Sequence, residues 1–303
     1  MDDKSIISCM YDGVTFFAKN TETLAHIMRN QEKYNVHKKL NTKGEIVEIS
    51  GRLKNVDFKT AFNSKESGIQ FGGSFHKWKN NGHNHDLFTW QDFLIAAKEI
   101  CEEFHLNPLK TDLWKLEFGQ NIRSPVITAN NLASIIPRNI IYLNGIPKET
   151  SKKKYSNDGY KAEIQKGQCS SKIYDKGRQY KLHESILRVE SSCKSRQLRK
   201  LGLYTYEDLF NRCNHDNYFL HFKKIFKNII IIQPDILSLP ALSDSDKIFL
   251  LQYNNIDTWL ELKKQKTYVF NKNFKIYQSI IDKYASINYG KVLLSHINNY
   301  PFP

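Results

Sequence analysis

Four short segments of the sequence alternate apolar and polar residues with a period of two, which is the pattern of β-strands that bury one face. They read "IQFGGSFHKW", "KLEFGQN", "SSKIYDKGRQY" and "ILRVE". In the second segment Leu116 and Phe118 fall on one face with the preceding Trp114, and Glu117 and Asn121 fall on the other. The apolar face predicts packing on a core. The last two segments lie close together in the sequence, and we expect them to form an antiparallel pair.

Helical patterns surround these segments. The stretch "TWQDFLIAAKEICEEFHL" begins with Thr89 and places Asp92 three residues later, the signature of an N-capped amphipathic helix. From about residue 205 the pattern becomes mainly helical. The sequence therefore predicts an α+β domain in residues 1–210 and a helical C-terminal region in residues 211–303. A chain of 303 residues, 40% of them apolar, is long enough to bury a sizeable core.

The polar faces of the four segments carry selected chemical groups. Glu117 and Glu190 offer hard oxygen ligands, and His76 and Asn121 are further candidates if the strands lie in one sheet. Such a set suits Mg²⁺ or Mn²⁺ better than zinc, which prefers thiolates and imidazoles. We therefore expect a divalent-metal site on this face.

A tyrosine between two lysines stands on the same predicted face. Lys172, Tyr174 and Lys176 are each two residues apart. A free phenol has a pKa of about 10, and neighbouring ammonium groups favour its ionised form. We expect Tyr174 to act as a nucleophile, and Lys172, Lys176 and Arg188 to contact the phosphate that it attacks.

The charge of the chain points to nucleic acid. The net charge is +14, and residues 151–200 hold fourteen Lys and Arg against five Asp and Glu. No basic amphipathic helix stands out there, so we expect no membrane attachment. The basic side chains expected to contact DNA phosphates without regard to sequence are Lys152, Lys153, Lys154, Arg196, Arg199 and Lys200.

The cysteines and the N-terminus indicate a cytoplasmic protein. Cys9, Cys101, Cys169, Cys193 and Cys213 are odd in number and contain no CxxC pair, so we expect reduced thiols rather than disulfides or a zinc site. The N-terminal stretch lacks the pattern of a signal peptide.

Several motifs resemble those of a known family. "KIYDKGRQ", then "LRVE", then "LRKLGLYTYEDL" resemble the active-site region of rolling-circle replication initiators of small plasmids and single-stranded DNA phages, including the gene II type of filamentous phages. "GSFHKW" and "LEFGQNI" resemble upstream strands of the phage-type members. The resemblance covers roughly residues 65–210. It implies the fold of the HUH nickases, in which a central antiparallel sheet carries helices on one face and a divalent-metal site on the other.

The resemblance also implies roles for particular residues. The nucleophile of the family corresponds to Tyr174, and its acidic residues correspond to Glu117 and Glu190. Plasmid members carry a second acidic residue at the position of Asn121. Tyr180 is the fallback nucleophile, or the second member of a strand-transfer pair.

The histidines depart from the family pattern. No strand carries a plain His-hydrophobic-His motif; His83 and His85 have that spacing in a polar, loop-like segment, where contact with solvent or DNA is favoured over metal binding. His76 is the better candidate for a histidine ligand.

The sequence thus predicts a metal-dependent endonuclease that nicks and joins origin DNA, single-stranded or supercoiled. Tyr174 would keep the 5′ phosphate and release a 3′-OH for rolling-circle replication, with host helicase and polymerase as partners. Residues 211–303 would serve DNA recognition or oligomerisation. Two alternatives stay open, namely the same chemistry in transposition or conjugation, and a DNA-binding replication or repressor protein that does not cleave.

Overall fold

A large antiparallel sheet with helices forms the α+β fold in the computed structural model of the chain. The structure describes residues 7–19, 21–63, 66–142, 146–147, 161–227, 229–264 and 267–298. The strands in these residues are β1 (Ile7–Ala18), β2 (His37–Leu40), β3 (Ile46–Leu53), β4 (Val56–Asn63), β5 (Glu66–Ser74), β6 (Thr111–Ile122), β7 (Ile140–Tyr142), β8 (Ile146–Pro147), β9 (Lys161–Lys166), β10 (Cys169–Asp175), β11 (Leu187–Lys194) and β12 (Ile229–Ile231).

Ten of these described strands form one sheet in the order β2-β3-β4-β5-β1-β6-β11-β10-β9-β8, and β7 pairs with β12 in a second sheet. The helices are α1 (Thr21–Arg29), α2 (Phe75–Lys79), α3 (Trp90–Glu103), α4 (Pro125–Ala129), α5 (Leu132–Asn139), α6 (Lys176–Gln179), α7 (Ser195–Lys200), α8 (Arg212–Phe226), α9 (Asp244–Tyr253), α10 (Ile256–Lys264), α11 (Thr267–Tyr284) and α12 (Tyr289–Asn298). Short 3₁₀ turns occupy Pro108–Lys110, Glu207–Phe210 and Pro234–Ser238.

Helices α3, α5 and α8 pack on the apolar face of the large sheet. The rings of Tyr11 in β1 and Phe93 in α3 pack edge to face, with their centroids 5.1 Å apart. The ring centroids of Phe118 in β6 and Phe222 in α8 are 5.3 Å apart. On β10, Asp175 accepts a hydrogen bond of 2.8 Å from the hydroxyl of Ser134 in α5. Aromatic ring pairs of this kind contribute more to stability than the burial of their surface area alone. The opposite face of the central strands is left for polar side chains.

The predicted antiparallel pair is confirmed. β10 and β11 pair over seven positions, so that Lys172 lies opposite Glu190 and Tyr174 lies opposite Arg188. The N-capped helix is confirmed as well, because Thr89 and Asp92 form a reciprocal capping box at the start of α3.

Two predicted strands end earlier than the sequence pattern suggested. β5 ends at Ser74, which caps α2 with its side chain, so His76 lies in a short helix and not on a strand. β10 ends at Asp175, which caps α6 in the same way, so Lys176 and Tyr180 are not on the strand of Tyr174. In both cases a capping side chain accepts a hydrogen bond from the first helical turn and stops the strand.

The face of Trp114 was predicted wrongly. The pairing of β1 with β6 shifts register between Thr15 and Phe16, so that Leu113, rather than Trp114, continues the buried face of Leu116. Trp114 stacks on Phe17 with ring centroids 4.7 Å apart. A β-bulge adds a residue to the strand and reverses the alternation beyond it.

The expectation of reduced thiols was wrong for two cysteines. Cys169 in β10 and Cys193 in β11 face each other in register, with Cα atoms 4.2 Å apart, and form a disulfide. Cys101 and Cys213 are free. The 24-residue separation of the bonded pair follows no local motif, and only strand pairing brings the two together.

The apolar residues in the described part of the chain form two cores. Residues of α8 and α12 belong to the core of the large sheet, and Gln120 in β6 donates a 2.8 Å hydrogen bond to the carbonyl of His296. The second core surrounds Trp259 and includes residues of β12, α9, α10 and α11. The core of the large sheet therefore extends beyond residue 210, where we divided the chain. Among the described helices, none combines the length and apolar character needed to cross a bilayer.

Candidate active site

Polar side chains from the four central strands meet on the face opposite the helices. The carboxylates of Asp12 on β1, Glu117 on β6 and Glu190 on β11 place oxygen atoms within 4.8 Å of one another. Lys172 and Tyr174 reach them from β10. The alternation in the sequence predicted that these side chains share one face of the sheet. The structure brings together Glu117, Glu190, Lys172 and Tyr174.

Arg188 is the centre of the hydrogen bonds in this cluster. Its guanidinium donates to Asp12 Oδ2 at 2.7 Å, to Glu190 Oε1 at 3.0 Å and to Asn121 Oδ1 at 3.1 Å. The side chain is only 1% exposed and lies across Gly119, where a Cβ atom would stand 2.1 Å from Nη2. Direct contact with a DNA phosphate, as expected from the sequence, is disfavoured because these donors are already engaged. Arg188 instead positions the carboxylates.

Tyr174 is buried and bonded to a carboxylate. Its hydroxyl donates a 2.6 Å hydrogen bond to Glu190 Oε1, and the side chain is 5% exposed. Burial and the Glu190 charge together raise the pKa of Tyr174 well above its ordinary value. The expectation that neighbouring lysines lower this pKa was wrong, because burial and the Glu190 carboxylate that accepts from the phenol raise it. The same contact places a proton acceptor on the hydroxyl.

Lys172 bridges two of the carboxylates. Its Nζ lies 3.3 Å from Glu117 Oε2 and 3.5 Å from Glu190 Oε2. Burial alone lowers the pKa of Lys172, but the two glutamates outweigh it and raise the pKa above the ordinary value. Lys172 and Glu117 are the more accessible members, at 24% and 14% side-chain exposure, so a substrate would approach from their side.

The three carboxylates differ in their electrostatic balance. Burial raises the pKa of Asp12, yet Arg188 and other cations bring it down to about 2. For Glu190, Arg188 and Lys172 likewise outweigh burial and lower the pKa. Burial and the nearby Glu190 raise the pKa of Glu117. An added cation would stabilise the charged form of a carboxylate whose pKa is raised, such as Glu117. Carboxylate oxygens are the ligands that Mg²⁺ and Mn²⁺ prefer.

His76 and Lys176 are buried polar groups near this cluster. His76 Nε2 and Lys176 Nζ have no hydrogen-bond partner among the described residues, and the two residues are 1% and 0% exposed. Burial lowers the pKa of His76 to about 4, against the opposing charge of Asp12. Burial and Arg188 lower the pKa of Lys176 to about 7. His76 is not one of the three clustered ligands, so its role as a metal ligand stays a prediction.

A loop at residues 80–86 closes one side of the cluster. Asn84 donates to Asp12 Oδ2 at 3.0 Å and accepts a 2.6 Å hydrogen bond from the hydroxyl of Tyr180. Asn121 donates to the backbone oxygens of Asn84 and His85, at 3.2 and 3.3 Å. With its own oxygen bonded to Arg188, Asn121 anchors this loop. Its role as a metal ligand stays a prediction.

The two histidines of this loop stand apart from the carboxylates. His83 is exposed and His85 is half-buried, with its ring 5.2 Å from that of Tyr180. Neither belongs to the carboxylate group.

The predicted phosphate-contacting residues lie in two places. Arg196, Arg199 and Lys200 are exposed on α7, which begins five residues after Glu190. At about 3.3 Å per residue along β11, they stand well beyond the carboxylates. The charged stretch with Lys152, Lys153 and Lys154 lies outside the described residues.

The sequence analysis missed Asp12. It stands in the apolar strand "ISCMYDGVTFFA", next to Gly13, whose Cβ would lie 3.2 Å from that of Glu117. A single buried aspartate beside a glycine in such a strand was the available signal, since an acid there requires a cationic or metal partner.

Comparison with known proteins shows little at the level of sequence. No protein-family model matches the chain, and no curated protein matches it. Among solved structures, the chain is similar to the rolling circle replication initiator protein from Geobacillus stearothermophilus. The similarity has a TM-score of 0.48 and 8% sequence identity, and it covers 96% of each chain.

Proposed function

We propose that this protein is a replication initiator that nicks single-stranded or supercoiled origin DNA, with Tyr174 as the nucleophile. The carrying observation is that the Tyr174 hydroxyl, hydrogen-bonded to a carboxylate, lies in a buried cluster of three acids and at least two cations. An isolated tyrosine or an isolated ion pair would support no chemistry. Together these groups supply a nucleophile, a proton acceptor and charge for a phosphate.

The reaction follows from the contacts of Tyr174. Its hydroxyl proton passes to Glu190 Oε1 as the phenolic oxygen bonds to phosphorus. The bond between phosphorus and the 3′ oxygen breaks, which leaves a 5′-phosphotyrosine and a 3′ oxygen that takes up a proton. Lys176, with a pKa of about 7, is the proposed donor of that proton. Lys172, the more exposed cation, would contact the phosphate.

The carboxylate group fits a divalent cation. Asp12, Glu117 and Glu190 would hold Mg²⁺ or Mn²⁺, which the mutual proximity of their oxygen atoms, within 4.8 Å, supports. When bound, the ion would polarise the phosphodiester and stabilise charge in the transition state. Lys172 shares two of these carboxylates, so its Nζ would compete with the ion for their oxygen atoms.

The test is cleavage of DNA that carries the sequence flanking the coding gene, with Mg²⁺ or Mn²⁺. Wild-type protein is expected to nick it and to remain attached to the 5′ end. Tyr174→Phe should abolish both, and Glu190→Gln should lower the rate by a factor on the order of 10² to 10⁴, because the proton acceptor is lost. Peptide mapping of the DNA adduct identifies the attached tyrosine.

Tyr180→Phe is the matched control. The hydroxyl of Tyr180 contacts Asn84 and not one of the carboxylates, so this variant should keep nicking activity. If Tyr180→Phe abolishes the adduct and Tyr174→Phe does not, Tyr180 is the nucleophile and the assignment of Tyr174 is wrong.

A second candidate is a DNA-binding replication or repressor protein without cleavage. Two points favour it. Lys172 and Arg188 already neutralise much of the acidic charge, and an amide, Asn121, stands where the sequence resemblance to plasmid initiators implies an acid. Salt-sensitive binding with no nick under either metal would support this candidate. Nicking followed by joining to a second DNA end would instead support transposition or conjugative transfer.

A further inference from the structure

A basic pocket lies beside the carboxylate cluster. It is a cavity of about 390 Å³ between the β3–β4 turn and the end of α2, and its lining contains no carboxylate. The residues that line the basic pocket are Arg52, Lys54, Asn55, Lys77, Asn81 and Gly82. Three cations with two amides around one cavity form an environment for an anion.

The cations of the pocket are weakly engaged by the protein. Arg52 pairs with Asp57 at 3.3 Å, but both side chains are more than 60% exposed, so this pair contributes little. Lys54 Nζ lies 4.3 Å from the centre of the Trp78 ring. Within the described part of the chain, no carboxylate pairs with Lys54 or Lys77. Their charges are therefore available to a ligand.

The backbone holds the two walls of the pocket in tight turns. Lys54 has a φ of 51° and Asn81 a φ of 50°, both in the left-handed region. Asparagine tolerates this conformation, whereas a long side chain is uncommon there. At Lys54 this backbone conformation is costly, and the ammonium group lies over the Trp78 ring, which borders a neighbouring cavity that Lys54 also lines.

Hydrogen bonds connect the pocket to the carboxylates. Asn55 donates to the carbonyl of Ser74 at 2.8 Å, and the hydroxyl of Ser74 donates to Asp12 Oδ1. On the other wall, Asn81 belongs to the same loop as Asn84, which donates to Asp12 Oδ2. The pocket and the carboxylate cluster are thus separated by one strand end and one loop.

We propose that the basic pocket holds a backbone phosphate of the single-stranded DNA whose scissile phosphate lies at the carboxylate cluster. This rests on the proposed function for the identity of the strand. A phosphate fits because its charge is matched by Arg52, Lys54 and Lys77 and its oxygens accept hydrogen bonds from amides. The cavity exceeds the size of one phosphate and is open beside the exposed Asn81 and Gly82, which allows the chain to pass through.

The test measures binding of a single-stranded oligonucleotide at several salt concentrations, with a chelator present so that no cleavage occurs. Each phosphate contact with single-stranded DNA contributes about 0.7 to the slope of log K against log salt. Lys54→Gln/Lys77→Ala removes the contact with the one phosphate of the pocket and should therefore reduce that slope by about 0.7. Lys272→Ala/Lys275→Ala is the matched control, because both lysines are exposed on α11 and lie outside the pocket lining. The control slope should equal that of the wild type.

A series of oligonucleotides with one neutral methylphosphonate each locates the contact. The wild type should lose affinity at a particular position, and the pocket variant should lose little at that position. An unchanged slope in the pocket variant would overturn the proposal. This holds even if inorganic phosphate alone protects Lys77 from chemical modification, because that result would show binding of an adventitious ion only. Because nicking is measured separately on the same proteins, loss of the pocket proposal and loss of the nuclease proposal give different results.

Discussion

Arg188 shows how one side chain organises the site. A guanidinium that is 1% exposed would be costly to bury alone, and here two carboxylates and an amide satisfy it. Gly119 leaves the space that the guanidinium fills. The planar fork of arginine can serve three acceptors on three strands, which a lysine cannot.

Replacing Arg188 by methionine is expected to destabilise the fold strongly. Asp12 and Glu190 would remain buried without their cation, and breaking a buried pair in this way costs about 3–5 kcal/mol. The free energy of unfolding in urea, measured without divalent metal, checks this. Arg196→Met on α7 is the control, because Arg196 is exposed and should change stability by less than about 0.5 kcal/mol. Equal stability of the two variants would contradict the role of Arg188 as the centre of the cluster.

At the residue scale, the sequence revealed those parts of the site that lie in the middle of regular strands. Glu117, Tyr174 and Glu190 stand on one face because their strands keep a period of two. Asp12 could not be assigned in this way, since its partners come from other strands and the strand shifts register near it. The hydrogen-bond acceptor of Tyr174 was also hidden, because Glu190 reaches the phenol across a strand pair.

At the element scale, the predictions that failed were those that depended on where a strand ends. Ser74 and Asp175 are both polar residues that could continue a strand or cap a helix, and the alternating pattern does not distinguish these outcomes. His76 and Lys176 therefore lie in helices and not on the predicted strands. Both are still close enough to Asp12 for its carboxylate to affect their pKa. The β-bulge at Trp114 was also hidden from the sequence pattern, because an extra residue in a strand leaves no mark in the composition.

The disulfide between β10 and β11 gives a prediction for this pair of strands. Cross-linking residues 24 positions apart restricts the unfolded chain and is expected to stabilise the protein by about 3 kcal/mol. A reductant should lower the free energy of unfolding by that order. Cys169→Ser/Cys193→Ser is the control, because its stability should not respond to the reductant.

Alkylation before and after reduction tests the bond itself. Cys169 and Cys193 should react only after reduction of the unfolded protein. Reaction of both cysteines without reductant would restore the original expectation of free thiols.

At the scale of the whole molecule, the large sheet depends on helices that follow it in the sequence. The hydroxyl of Tyr218 in α8 donates to the carbonyls of Leu116 in β6 and Ser191 in β11, at 2.9 and 3.1 Å. Phe219 and Phe222 of the same helix are fully buried against this sheet. The boundary at residue 210 was drawn where the pattern became helical, but a change of pattern does not show which core a helix joins.

A chain of residues 1–210 is therefore expected not to fold cooperatively. It lacks α8 and α12, and each buried phenylalanine of α8 contributes about 1.5–3 kcal/mol against a total stability of about 5–15 kcal/mol. Urea unfolding followed by circular dichroism should show a broad transition for the short chain and a sharp one for the full chain.

Two variants of the full chain separate packing by α8 from other effects of truncation. Phe222→Ala should cost about 3–5 kcal/mol because it opens a cavity against Phe118. Leu220→Ala, on the exposed side of the same helix at 50% exposure, should change stability by less than about 1 kcal/mol. A sharp transition for residues 1–210, with a small effect of Phe222→Ala, would show that the sheet is complete without α8 and would place the boundary at 210 after all. The expected result instead makes the site depend on α8, because the strands that carry Glu117 and Glu190 are the ones that Tyr218 holds.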